Sequence, residues 1–201
     1  TIIEQLNRQL KIDIRKDLIS WMGPAAIFAR GTNLTDIGGA VVVQSTDPAA
    51  TKKAIPVIER LLTLFGGDAG VKTSPLSASG VDAGFRVTSP QLPLPVNVAL
   101  AGDKFIVALT DPALQAAIKP SGTLGDNAGY KDAAEALGDG LKPALYVGFP
   151  PILSLLDGFG LTSDPEFKQF EPTAKALQAL AAGGQTDDEV TRGRVVLTLN
   201  D

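Results

Sequence analysis

The chain contains neither cysteine nor histidine, and this absence excludes several kinds of chemistry. Without cysteine there is no disulfide bond and no thiol nucleophile, and without both residue types the usual zinc sites cannot form. The chain also lacks the imidazole that most often acts as a general base near neutral pH. The composition therefore favours a protein that is not an enzyme.

Positive charge is scarce and dispersed along the chain. There are 22 acidic and 18 basic residues, which gives a net charge of -4, and the longest basic run is Lys52-Lys53. Nucleic-acid binding needs a concentrated cationic surface, so we expect no nucleic-acid partner. No apolar run approaches the roughly 20 residues of a membrane helix, and Thr1 opens without the charged start of a signal peptide. We therefore expect membrane association only through an anchor that this chain lacks.

A repeated pattern organises what is present in the 201 residues. An apolar strand at 40–43 leads into Asp47-Pro48 and an Ala-rich helical segment, and a second strand at 105–109 leads into Asp111-Pro112 and another such segment. In both copies the pattern predicts Asp at the helix N-cap and Pro at the first helical position. The sequence therefore predicts an internal duplication with cores at 25–65 and 96–137.

The surrounding elements predict an α+β fold. Residues 1–11 are predicted to form an amphipathic helix, and Trp21, the only tryptophan, is predicted to anchor the core. Late in the chain, Asp164-Pro165 is expected to open a helix that continues through Leu180. Two hairpins, each followed by a crossing helix, predict a mostly antiparallel sheet covered by helices. We expect one domain over residues 1–201, with a split near residues 120–127 as the alternative.

The sequence predicts no catalytic, cofactor-binding or metal-binding residues. The acidic run Asp187-Asp188-Glu189 lacks the alternating spacing of a calcium loop, and Asp126-Asn127 is explained by a helix N-cap. The glycine-rich stretches at 66–70 and 122–129 lack the spacing of nucleotide-binding loops. No lysine lies three positions after the serines considered as nucleophiles, Ser20, Ser77, Ser79 and Ser154. A pair of carboxylates acting on a polysaccharide stays open, because their separation depends on the tertiary structure.

Two apolar, proline-bearing stretches stand out as a candidate contact surface. The first is the loop at 90–95 and the second is the segment at 150–161, and the candidate residues are Leu92, Leu94, Ile152, Leu153, Leu156 and Phe159. If they are exposed together, they form a patch large enough to mark a contact with lipid or protein. The alternative is that they cap the sheet or pack against sequence that is not part of this chain.

Several short segments resemble an uncharacterised family of bacterial envelope proteins from high-GC Gram-positive bacteria. The resembling segments are the run from Asp13 to Gly23, the two strand–Asp-Pro–helix copies, and the run from Leu124 to Lys131. The resemblance implies a membrane-anchored protein whose folded part lies outside the cytoplasmic membrane. It also implies that this chain is a fragment of a longer extracytoplasmic region, and it supplies no activity and no catalytic residues.

We therefore expect a non-enzymatic extracytoplasmic domain of a membrane-anchored protein, without a cofactor, whose partner is an unknown protein or an apolar ligand. The alternatives are a carboxylate-dependent cell-wall hydrolase and a structural spacer domain. A hydrolase predicts a cleft with two facing carboxyl groups, one of them with a raised pKa. A spacer predicts neither a large pocket nor an apolar patch.

Overall fold

The structure is a computed structural model that describes residues 12–33, 36–138, 140–186 and 191–200. The predicted helix at 1–11 and the acidic run Asp187-Asp188-Glu189 lie outside these residues. The chain forms two compact units. The first comprises Thr1–Ala29 and Gly38–Pro120, and the second comprises Arg30–Ile37 and Ser121–Asp201.

The first unit is built around a six-stranded antiparallel sheet. Its strands follow one another in space in the order β1-β2-β6-β5-β4-β3. The turn between β5 and β6 uses Gly102 at a φ of 60°, a conformation that glycine adopts without steric cost. The strands are β1 (Met22–Arg30), β2 (Gly38–Ser45), β3 (Lys72–Pro75), β4 (Ala83–Thr88), β5 (Val96–Ala101) and β6 (Lys104–Leu109).

Helices cover both faces of this sheet. Helix α1 (Pro48–Gly66) packs against one face with Ala54 and Ile55, and helix α2 (Asp111–Ile118) packs against the other with Ala113 and Leu114. A π-helical turn (Ile14–Ile19) precedes β1, and a short 3-10 turn (Gly67–Ala69) follows α1. The result is an α+β unit of three layers, which confirms the predicted fold class.

The strands of the two predicted copies are neighbours. Strand β2 pairs antiparallel with β6, and Val41 lies opposite Val107. This pairing confirms the sequence prediction that the strands of the two copies share one sheet. Trp21 is 1% exposed and meets the ring of Phe105 edge-on at 5.0 Å, so its predicted role as a core anchor is also confirmed.

One expectation for α1 is wrong. Its helical spacing predicts that Leu62 and Phe65 face the sheet, yet they are 37% and 65% exposed. The buried residues of α1 are Thr51, Ala54 and Ile55, all in its first half. Apolar spacing predicts which residues share a helix face, but it does not predict where along the helix the covering sheet ends.

The second unit contains a three-stranded antiparallel sheet in the order β7-β8-β9. Its strands are β7 (Pro143–Gly148), β8 (Leu177–Thr186) and β9 (Thr191–Leu199). Its helices are α3 (Ala128–Leu137), α4 (Phe149–Gly158) and α5 (Pro165–Ala176), with 3-10 turns at Leu124–Asp126 and Leu161–Ser163. Helix α3 covers one face of the sheet, where Ala133 and Leu137 pack on Ala179 and Ala181.

In the second unit, the predicted end of the helix that begins at Pro165 is wrong. Leu177 and Leu180 were expected in the helix that begins at Pro165, but α5 ends at Ala176 and both residues lie in β8. The cause is tertiary, because β8 is the central strand and pairs with β7 and β9.

The predicted repeat core at 96–137 continues past Pro120, where the first unit ends, so it includes α3 of the second unit. The single domain over 1–201 stays a prediction, and the alternative split near 120–127 lies beside this division.

Candidate functional site

The candidate residues of the second apolar stretch lie together on α4. This helix begins directly after β7 and carries two prolines in its first turn, where a missing backbone N–H costs nothing. None of its ten residues is buried, although it is strongly apolar. Ile152 is 40% exposed, Phe159 just after the helix is 56% exposed, and Leu153 and Leu156 are half-buried. We call these four residues the α4 surface.

A shallow pocket of about 280 Å³, lined by both polar and apolar side chains, borders the α4 surface. Leu153 of α4 lines it, together with charged side chains from α4 and α5. The ammonium of Lys175 lies 2.7 Å from Glu171 Oε1, and the hydroxyl of Thr162 donates to Asp157 Oδ1 at 2.5 Å. The hydrogen bond to Glu171, followed by the charge of Glu171 and then that of Asp157, raises the pKa of Lys175 above its ordinary value. The neighbouring carboxylates therefore favour the protonated form of Lys175.

The residues of the first apolar stretch belong to the other unit. Leu92 and Leu94 lie in the connection between β4 and β5, where Leu92 is 40% exposed and Leu94 is half-buried. The backbone N–H of Leu92 donates to the carbonyl of Ser89, and the Ser89 hydroxyl donates to the carbonyl of Ala69 at 2.7 Å. The loop is thus held in place with Leu92 partly in solvent. That Leu92 and Leu94 form one contact surface together with the α4 surface stays a prediction.

A polar cluster in the first unit was missed by sequence reasoning. Arg86 Nε donates to Asn97 Oδ1 at 3.0 Å, and both Arg86 and the amide of Asn97 donate to Asp111 Oδ1. The predicted N-cap role of Asp111 is wrong, because Thr110 occupies the N-cap position and Asp111 is the first helical residue. Asp47, in contrast, caps α1 as predicted by accepting the backbone N–H of Ala50. For the polar cluster, the available signal in the sequence was the alternation of β4, which places Phe85 inward and Arg86 on the opposite face.

Two of the four serines considered as nucleophiles donate their hydroxyl groups to backbone carbonyls. The Ser154 hydroxyl donates to the Pro150 carbonyl, and the Ser20 hydroxyl donates to the Lys16 carbonyl. Burial, followed by the charge of Asp132, raises the pKa of Tyr146 above its ordinary value of 10.0, so the phenol stays protonated. The predicted N-cap role of Asn127 is confirmed, because its side chain accepts the backbone N–H of Tyr130.

Two further findings bear on metal and membrane binding. Within the part of the chain that the structure describes, no group of three or more acidic side chains is arranged to hold a metal ion. No helix among the described residues combines the length and the apolar character needed to cross a membrane.

Comparison with known proteins gives one result at the level of the family. No curated protein and no solved structure matches the chain significantly. A family model described as a protein of unknown function, DUF3352, matches residues 1–199, which is nearly the whole chain. The predicted resemblance to an uncharacterised family is thereby confirmed at that coarser level. The chain belongs to the DUF3352 family.

Proposed function

We propose that this chain is a non-enzymatic protein-binding domain in the extracytoplasmic part of a membrane-anchored bacterial envelope protein. The observation that carries the binding role is the α4 surface. A strongly apolar helix without one buried residue is costly to leave in water, since burying a side chain such as Leu or Phe is worth about 1.5–3 kcal/mol. A partner that covers Ile152 and Phe159 removes this cost.

The surroundings of the α4 surface favour a protein partner over a small apolar ligand. A small-molecule site encloses its ligand in a deep cavity, whereas the pocket beside α4 is shallow and measures about 280 Å³. That pocket carries both signs of charge, on Asp157, Glu171 and Lys175. An apolar centre beside a charged rim is the usual anatomy of a protein–protein interface.

The non-enzymatic part of the proposal is supported by two carboxyl groups, Asp36 and Asp126, whose pKa values are lowered. A glycosidase acid requires a carboxyl group with a raised pKa. Hydrogen bonds from the backbone of Asn33 and then of Thr32 lower the pKa of Asp36, and hydrogen bonds from the backbone and hydroxyl of Thr123 lower that of Asp126. These shifts are opposite to what a general acid needs. The envelope location is supported by the family resemblance of the short segments described above.

Site-specific photo-crosslinking in the native cell tests this proposal. A photoreactive phenylalanine at position 159 is expected to form a crosslink to one defined envelope protein, and Ile152→Lys is expected to abolish that crosslink. The matched control carries the same group at position 65, where Phe65 is 65% exposed, slightly more than Phe159, but belongs to the first unit. Crosslinks to lipid alone, crosslinks unaffected by Ile152→Lys, or turnover of cell-wall polymer by the purified chain would each contradict it.

A further inference from the structure

The hairpins β1–β2 and β8–β9 close in the same way at the end of their second strand. The backbone N–H of Thr46 donates to the carbonyl of Trp21 at 2.8 Å, and the backbone N–H of Asn200 donates to the carbonyl of Ala176 at 2.8 Å. In the sequence, 41–43 reads Val-Val-Val and 195–197 reads Val-Val-Leu, and four positions later each run reaches an aspartate. Strand β9 therefore corresponds to β2 residue by residue.

In the first unit, helix α1 contributes to covering one face of this hairpin. Val43 packs against the cluster that contains Ala54 and Ile55 of α1. The hydroxyl of Ser45 lies 2.6 Å from the hydroxyl of Thr51, also on α1, and both residues are buried. Contact with α1 therefore helps to bury Ser45 at the end of β2.

In the second unit, the corresponding face is open. Leu197 and Leu199, which correspond to Val43 and Ser45, are 54% and 58% exposed, and Val195 is 68% exposed. Leu145 of β7 lies on the same face, because the register aligns it through β8 with Val195, and it is 51% exposed. We call these four residues the open face.

The opposite face of the same sheet is covered. Ala133 and Leu137 of α3 pack there on Ala179 and Ala181, with Val196 beside them. Leu145, Val195, Leu197 and Leu199 therefore lie on the side of this sheet that faces away from α3, and each of them is more than half exposed. Stable sheets bury their apolar face against another layer, so a further layer is expected on this side.

We propose that the open face is a docking site for an amphipathic helix of the α1 kind. Such a helix presents small and branched apolar side chains at the spacing of Thr51, Ala54, Ile55 and Ile58. The correspondence with the first unit carries this choice, since there α1 meets the equivalent strand at Val43 and Ser45. The proposal concerns a surface separate from α4, so it goes beyond the proposed function and does not depend on it.

The size of the open face favours a helix over a second copy of the chain. Four side chains that are half exposed present on the order of 300 Å² of apolar surface. A stable dimer buries roughly 800 Å² on each partner, so two open faces stacked on each other fall well short. A single helix covers such a patch without needing a larger interface.

The test titrates the full chain into a fluorescein-labelled peptide with the sequence of residues 46–66 and measures fluorescence anisotropy. We expect saturable binding, and we expect Leu197→Lys and Leu197→Ala to weaken it, the former at least tenfold. Phe170→Lys is the matched control, because Phe170 is 60% exposed and lies on α5, and it is expected to bind normally. A peptide of the same composition with a permuted apolar pattern is expected not to bind.

Three results would overturn the proposal. The first is absence of saturable binding, or equal binding by the Leu197→Lys chain with its unfolding midpoint unchanged. The second is a dimer, measured by light scattering, that Leu197→Lys dissociates, since a second copy would then be the occupant. The third is binding to phosphatidylglycerol vesicles that Leu197→Lys abolishes, since lipid would then be the occupant.

Discussion

Asp111 Oδ1 accepts a hydrogen bond from the side-chain amide of Asn97 at 3.0 Å, and Asn97 is fully buried. The same carboxylate oxygen accepts the guanidinium of Arg86 at 2.5 Å. The first helical residue of α2 is thus tied to β4 and β5. The carboxylate of Asp111 therefore gives the buried side-chain amide of Asn97 a hydrogen-bond acceptor.

The first prediction concerns the hydrogen bonds of Asp111. Asp111→Ala is expected to lower the free energy of unfolding by about 1–3 kcal/mol, because it leaves a buried amide donor of Asn97 without a partner. Asp47→Ala is the matched control, since it removes only an N-cap and costs about 1 kcal/mol. Urea unfolding of both variants measures the difference. Equal and small losses would contradict the structural role assigned to Asp111.

The second prediction concerns the backbone at Thr110. This residue has a φ of 78°, which costs a residue with a side chain on the order of 1–3 kcal/mol. Thr110→Gly is therefore expected to raise the free energy of unfolding by about 1 kcal/mol. Thr110→Val keeps the branched side chain at this φ and is expected to give no gain. Denaturant titration of the two variants side by side provides the check.

The third prediction couples Thr110 to Gly38. A methyl group at position 38 would lie 2.9 Å from Thr110 Oγ1 and 3.1 Å from Ala113 Cβ. Gly38→Ala is expected to destabilise the first unit by about 1–3 kcal/mol through overpacking. Thr110→Gly removes the nearest of these atoms, so the double variant is expected to recover part of the loss. A double-mutant cycle on unfolding free energies measures this coupling, and strict additivity would refute the contact.

The fourth prediction concerns Trp21. Its indole N–H donates to the Asp17 carbonyl at 3.3 Å and its ring meets Phe105 edge-on. Trp21→Ala is expected to cost about 3–5 kcal/mol, because it opens a large cavity in the core of the first unit. Trp21→Phe fills most of that space and is expected to cost less. Since this is the only tryptophan, its emission in the native chain is expected to shift to the red on unfolding.

The fifth prediction concerns pH. The backbone N–H and then the hydroxyl of Thr123 donate to Asp126, and they lower its pKa below the ordinary value of 3.8. Its stabilising contribution is therefore present above pH 3.8 and is lost as the pH falls through the lowered pKa. NMR titration of the carboxyl carbon is expected to give a midpoint below 3.8. In Thr123→Val, which lacks the hydroxyl, the midpoint is expected to move upward.

Features that depend on local chemistry were predictable from the sequence. The strand at 105–109 follows from its unbroken apolar run, and the cap at Asp47 and the start of α5 after Asp164-Pro165 follow from capping rules. These inferences hold because each rests on residues close together in the sequence, where the same backbone hydrogen bonds and side-chain spacing operate in any fold.

Features that depend on distant partners were decided by the tertiary structure. Asp111 looked like a second copy of Asp47, but Arg86 and Asn97 from neighbouring strands engage its carboxylate. Leu177 and Leu180 had helical spacing, but pairing with β7 and β9 makes their segment a strand. The strand β9 alternates in sequence, yet only the position of α3 determines which of its faces is covered and which stays open. In each case the deciding contact joins residues far apart in the chain, so the spacing of residues within one segment does not predict it.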